Sequence, residues 1–251
     1  MTWVTWAPES VSAEKYALLK ECYLQKVKRN PKNANVTGNT AGFCRYDDYK
    51  LAQKLYKKAR KLAADDWRWS SRLCFFYSYE SRLKNDSKLA QKAYRVGNKC
   101  IKRFERVPHH RLQVFEIITH LCELALRLDD SKRARRYVKE LKYADFSFIS
   151  PYVKHYYKGL FALKEGNIEC AKSQLLKFAH KKGHLRDFRL ANQLLELGEV
   201  QTVLECLEIC LPEVYDENKA KLVAQWIKKL KKGQKIKLGF PRTFVSPLWD
   251  F

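Results

Sequence analysis

A small residue recurs in this chain at positions 52, 90, 134, 171 and 203, at spacings of 38, 44, 37 and 32, each time in the same local frame. Asp48-Tyr49-Lys50-Leu51-Ala52-Gln53-Lys54 returns as Asp86-Ser87-Lys88-Leu89-Ala90-Gln91-Lys92. The frame reappears at Asp130 to Ala134, at Asn167 to Ala171 and, more loosely, at Glu199 to Val203. A turn, a capping Asp or Asn and then a small apolar residue mark the start of a helix. Upstream of these turns, residues 66–83, 109–128, 151–164 and 186–197 read as helices, so the chain is a series of helix–turn–helix pairs. Register sustained over five turns constrains the fold more than any single motif does.

The clearest pair runs from Tyr152 to Ala179. Gly159 falls inside its first helix, where glycine costs roughly 1 kcal/mol relative to alanine, so another helix is expected to approach closely there. Gly166 supplies a left-handed end and Asn167 caps the second helix. This Gly-x6-Gly-Asn-x3-Ala pattern resembles the tetratricopeptide repeat, a helical hairpin of about 34 residues. The resemblance implies an all-α, right-handed α-solenoid of stacked hairpins, first helices on the concave surface and second helices on the convex one. Residues 152–240 also resemble a group of functionally uncharacterised bacterial tetratricopeptide-like proteins. The matching residues include His155, Gly159, Ala171, Leu190-Ala191-Asn192, Gly198-Glu199 and Trp226-Ile227. The chain departs from that group at His180–His184, where the group has a more elaborate glycine-rich turn, and the resemblance implies no activity.

The whole chain, 1–251, reads as one repeat domain. Residues 1–11, with Trp3, Trp6 and Pro8, form an N-terminal arm, and a helix from Ser12 ends at Pro31. Residues 31–48, rich in Asn, Gly and Thr and without a period, read as a long loop. Its GNTAGF stretch is no nucleotide site, since no Gly-Lys-Ser/Thr follows it. The repeats fill 49–215, a capping helix 216–232 covers the end of the core with Leu222, Trp226, Ile227 and Leu230, and 233–251 form an extended tail.

Composition narrows the function. With 50 Lys and Arg against 27 Asp and Glu, the net charge is +23, which predicts attraction to an acidic partner. The eight cysteines contain no Cys-x-x-Cys pair and sit among leucines and aromatics, as free buried thiols do in a reduced compartment. The opening residues do not resemble a secretion signal and no apolar stretch of about 18 residues occurs, so the expected location is cytoplasmic. The six histidines fall in no metal-ligand motif; His180 and His184 share a face but are interrupted by Gly183. Asp65-Asp66 and Asp129-Asp130 lie at helix junctions, where aspartate caps rather than catalyses. No enzyme, metal or cofactor is expected.

Two binding surfaces follow from the hairpin geometry. The first helices place Arg72, Phe75, Tyr79, Arg82, Glu123, Tyr156, Phe188 and Asn192 in a concave groove suited to an extended peptide or acidic partner. The expected function is therefore a non-enzymatic interaction adaptor, of unspecified oligomeric state. The second helices carry Lys54, Lys57, Lys58, Arg95, Lys99, Lys102, Arg135 and Arg136, and the last helix adds Lys228, Lys229, Lys231 and Lys232. That basic surface supports an alternative, sequence-blind nucleic-acid binding, although no aromatics are interleaved with it as stacking platforms.

Overall fold

The computed structural model describes residues 12–106, 110–141, 150–180 and 188–239. Among these residues the chain is all-α, with twelve α-helices and no strand. The chain divides into two compact units between Leu121 and Cys122. The arm at 1–11, the tail from 240 onward, and His109 and His184 lie outside the described residues.

The first unit begins with α1 (Ala13–Arg29), α2 (Ala34–Cys44), α3 (Tyr49–Leu62), α4 (Trp67–Lys84) and α5 (Ser87–Phe104), and takes in α6 (Arg111–Arg127) as far as Leu121. The span 31–48 is not a loop throughout, because α2 occupies most of it. Asn33 caps this helix by accepting from the Val36 N–H at 3.0 Å. Thr37 and Thr40 turn their hydroxyls back to the Asn33 and Val36 carbonyls, at 2.9 and 2.8 Å. A local bond of that kind satisfies a polar side chain inside a helix, which is how threonines are accommodated here. Gly38 is required by proximity: a Cβ there would lie 2.1 Å from the Trp69 ring of α4, which is fully buried. Close packing thus overrides the poor helix propensities of Gly, Asn and Thr. On the other side, Phe43 stacks between Tyr16 and Tyr23 of α1 at 4.7 and 4.8 Å.

The second unit holds the rest of α6, then α7 (Ser131–Glu140), α8 (Ser150–Lys164), α9 (Ile168–His180), α10 (Arg189–Glu196), α11 (Val200–Cys210) and α12 (Glu217–Lys231). After the 3-10 turn Leu211–Glu213, α12 buries Val223, Trp226, Ile227 and Leu230. Phe188, at the start of α10, meets Trp226 edge-on at 5.2 Å.

Within the units the hairpin turns repeat at atomic level. Asn85, Asp129, Gly166 and Gly198 all have positive φ, and each immediately precedes the first residue of the next helix frame. In each turn the following N–H bonds back to a carbonyl five residues earlier: Asp86 to Ser81, Asp130 to Ala125, Asn167 to Ala162 and Glu199 to Leu194, at 2.9–3.0 Å. This is the Schellman closure, which requires a left-handed residue. Asp86, Asp130 and Asn167 then cap α5, α7 and α9 by accepting from Leu89, Arg133 and Cys170 N–H groups. Asp48 caps α3 in the same way through Leu51, after a turn without a left-handed residue. The five register positions, Ala52, Ala90, Ala134, Ala171 and Val203, are all at most 1% exposed. Gly159 behaves as its position demands, since a Cβ there would lie 2.4 Å from Leu190 of α10.

Candidate functional site

In the first unit, α4 presents Arg72, Phe75, Tyr79 and Arg82 at three- and four-residue spacing, one line along a helix. Burial raises the Tyr56 phenol, and the Arg72 guanidinium, hydrogen-bonded to it, acts in the opposite direction. Phe75 packs on His120 of α6 at 4.5 Å. Tyr79 is 44% exposed, Arg82 lies over its ring at 5.5 Å, and Leu83 beside it is 64% exposed. Glu116, one turn before His120 on α6, is a half-buried carboxyl whose pKa is raised by burial alone.

In the second unit the sequence-predicted groove residues have structural occupations. Tyr156 and Phe188 are not groove-lining surface; both are buried, at 7% and 6% exposure. Tyr156 packs edge-on to Tyr157 at 5.4 Å and Phe188 packs on Trp226, so ring burial rather than exposure fixes their orientation. Glu123 accepts a two-pronged bond from Arg189, at 2.6 and 2.9 Å, and a third from Arg127. Burial by itself raises the Glu123 pKa, but the two guanidinium groups outweigh it and hold the carboxyl below its ordinary range. Arg189 also reaches over the Tyr156 ring, 5.9 Å from its centroid. One side chain on α10 therefore ties α6 and α8 together. Sequence reasoning passed over Arg189; its signal was its place one residue after Phe188 and three before Asn192.

Asn192, also expected in the groove, holds a non-helical segment of the chain's own backbone. Its side-chain amide donates to the Leu238 carbonyl at 2.9 Å and its oxygen accepts the Leu238 N–H at 2.8 Å. Leu238 is 3% exposed, and residues 234–239 follow α12 without helical structure. A side-chain amide that pairs with both polar groups of one residue reads backbone, whatever side chain that residue carries.

The basic residues divide by their partners. On α3 and α5, Lys54, Lys57, Arg95, Lys99 and Lys102 are at least partly exposed, Lys58 is half-buried, and neither helix contains an acidic residue. Arg135 and Arg136 of α7 are ion-paired with Glu165 and Glu140, and Lys231 of α12 pairs with Glu208 at 2.7 Å. Lys228, Lys229 and Lys232 are exposed. The Asp pairs serve the turns: Asp66 caps α4 and Asp130 caps α7, while Asp65 pairs with Arg103 and Asp129 with Lys164. Among the described residues, no His, Cys, Asp or Glu group is arranged to hold a metal, and no helix is long and apolar enough to cross a membrane. Cys206 and Cys210, one turn apart on α11, are both buried.

No protein-family model matches the chain, and a search of curated proteins returns no match. The functional reading therefore rests on the geometry alone.

Proposed function

We propose that this protein is a non-enzymatic interaction adaptor of tetratricopeptide type, a right-handed α-solenoid that takes an extended acidic peptide along its first-helix face. The repeated Schellman turns, caps and buried small residues support the repeat assignment. The peptide reading is carried by one observation, the paired hydrogen bonds of Asn192 to the Leu238 backbone. The tail occupies in cis the position a partner segment takes in trans. A tethered segment competes at an effective concentration that reaches millimolar for short flexible tethers, so a partner needs an energetic advantage over it. Charge supplies one. The tail brings Lys235 and Lys237 to a protein of net charge +23, whereas an acidic segment is drawn in from a distance.

The test uses two fluorescein-labelled peptides of equal length, one alternating Leu and Glu and the other alternating Leu and Lys, titrated against the full chain and its Leu238→Ser variant. The acidic peptide binds both proteins and binds the variant more tightly, and Asn192→Ala abolishes the gain. Failure of the acidic peptide to bind the variant overturns the proposal, as does equal binding of the basic peptide.

A further inference from the structure

The last turns of α3 and α5 meet beside the start of α4 around a cleft of about 220 Å³. Arg60 of α3 and Lys99 and Arg103 of α5 line it, with Ser70 of α4 and the apolar Val96 and Phe104. Arg60 is close enough to act on both the Tyr77 phenol and the Cys100 thiol, and Arg103 also acts on that thiol, while Lys99 and Arg103 are exposed, so the cleft is open to an approaching anion. Among the described residues, the cleft's one ion pair is that of Arg103 with Asp65, whose side chain is 93% exposed.

Helix geometry accounts for part of this charge. Each helix C-terminus carries about half a negative charge, which cations in its last turn offset. Lys61 and Lys102 share those last turns with Arg60 and Arg103, and the positive end of α4 lies beside them, so the cleft keeps a positive surplus. A phosphate group, with several acceptor oxygens, suits two guanidinium groups and an ammonium. Size narrows the ligand further. The cleft is smaller than the roughly 300–1,000 Å³ of small-molecule sites, so it suits one phosphate group rather than a whole nucleotide. Phe104 is 6% exposed and packs edge-on to His110 at 5.2 Å, which leaves no ring face for a base to stack on. The six cations of α3 and the six of α5, unopposed by any acid on either helix, extend the positive field beyond the cleft.

We propose that the Arg60–Lys99–Arg103 cleft is a phosphodiester-binding site, through which the protein holds a nucleic-acid backbone without reading its bases. This site lies in the first unit and is independent of the peptide reading at Asn192.

The experiment is fluorescence anisotropy of the full chain with labelled DNA single strands, about 20 nucleotides long and of two unrelated sequences, over a range of salt concentrations. Both strands bind alike, and affinity falls steeply with salt. Replacing Arg60, Lys99 and Arg103 together by Gln weakens binding about tenfold or more, and flattens the salt dependence by about 0.7 in log–log slope for each phosphate no longer neutralised. Replacing Lys228, Lys229 and Lys232 by Gln removes the same charge and weakens binding about twofold. Asp65→Asn removes the competing acid and tightens binding, an outcome that misfolding cannot imitate. Equal weakening by the two triple variants would show diffuse attraction and overturn the site. So would no gain from Asp65→Asn, no binding by the wild-type protein at low salt, or full displacement of the strand by millimolar inorganic phosphate.

Discussion

Asn192 and Leu238 are joined by two hydrogen bonds across 46 positions of sequence, amide side chain against backbone, at 2.9 and 2.8 Å. Truncating Asn192 to alanine strands a buried N–H and a buried C=O, at a cost of about 1–3 kcal/mol, unless the tail lifts off and gives up the burial of Leu238, worth about 1.5–3 kcal/mol. The costs are comparable, so the tail opens far more often. Hydrogen exchange of the Leu238 amide accelerates in Asn192→Ala while exchange in the centre of α11 is unchanged. Unaltered exchange at Leu238 would mean that the amide pair does not hold the tail.

Gly38→Ala sets two effects against each other. Alanine gains about 1 kcal/mol of helix propensity in α2, but its Cβ falls 2.1 Å from a Trp69 ring that has nowhere to go, and overpacking costs about 1–3 kcal/mol or more. The variant melts at a lower temperature than the wild type. Gly42→Ala, whose Cβ meets only the Tyr56 hydroxyl at 3.3 Å, loses less. The order of the two melting temperatures is the measurement.

Glu116 and Glu123, both on α6, have pKa shifts of opposite sign and so opposite pH signatures. The Glu116 pKa is raised in the folded state; its relative stabilisation is present below the unfolded carboxyl pKa of about 4.3 and is lost as pH rises through the folded value. The Glu123 pKa is lowered; its stabilisation is present above about pH 4.3 and is lost as pH falls through the folded value. Glu116→Gln therefore raises the melting temperature at neutral pH and has no effect in acid well below the carboxyl range. Glu123→Gln lowers it at neutral pH, by about 1–3 kcal/mol in stability for the bonds to Arg189 and Arg127 that it forgoes, and the deficit shrinks in acid. Melting curves of both variants from acid to neutral pH check the signs.

The turns predict a uniform response. Asp86→Ala, Asp130→Ala and Asn167→Ala each remove a helix cap, worth about 1 kcal/mol. Gly166→Ala forces a Cβ into left-handed backbone, with a penalty of about 1–2 kcal/mol. Denaturant midpoints fall while the slope of the transition holds, because these changes leave the buried area intact.

The turn register was legible because caps, left-handed residues and small buried positions are local chemistry. Asp86 or Asn167 announces a helix start whatever lies across from it, and Ala52, Ala90, Ala134 and Ala171 mark its buried face. Helix α2 was not legible, because its reason for existing is Trp69, distant in sequence: Gly38 and Thr40 read as loop residues until an indole is packed on them. The same limit applies to the site. Helical spacing put Tyr156, Phe188 and Asn192 on first helices, but could not tell which would be buried by Phe178 or Trp226 and which would face the tail. Arg189 was missed because its importance lies in Glu123, 66 residues away.

The closed turns also bear on how such a chain tolerates rearrangement. Because each turn satisfies its own backbone groups, its geometry does not depend on the length of the segment leading to the next hairpin, and the spacings of 38, 44, 37 and 32 vary accordingly. The natural cassette for grafting runs from within one inter-hairpin segment to within the next, with its turn carried whole. A residue inserted between Ala162 and Asn167 breaks the six-residue closure and rotates the second helix by about 100° against the first, moving Cys170 to the place of Ala171 and burying the Lys177 charge where Phe178 now sits. The same insertion after Leu141 leaves the α8–α9 closure untouched.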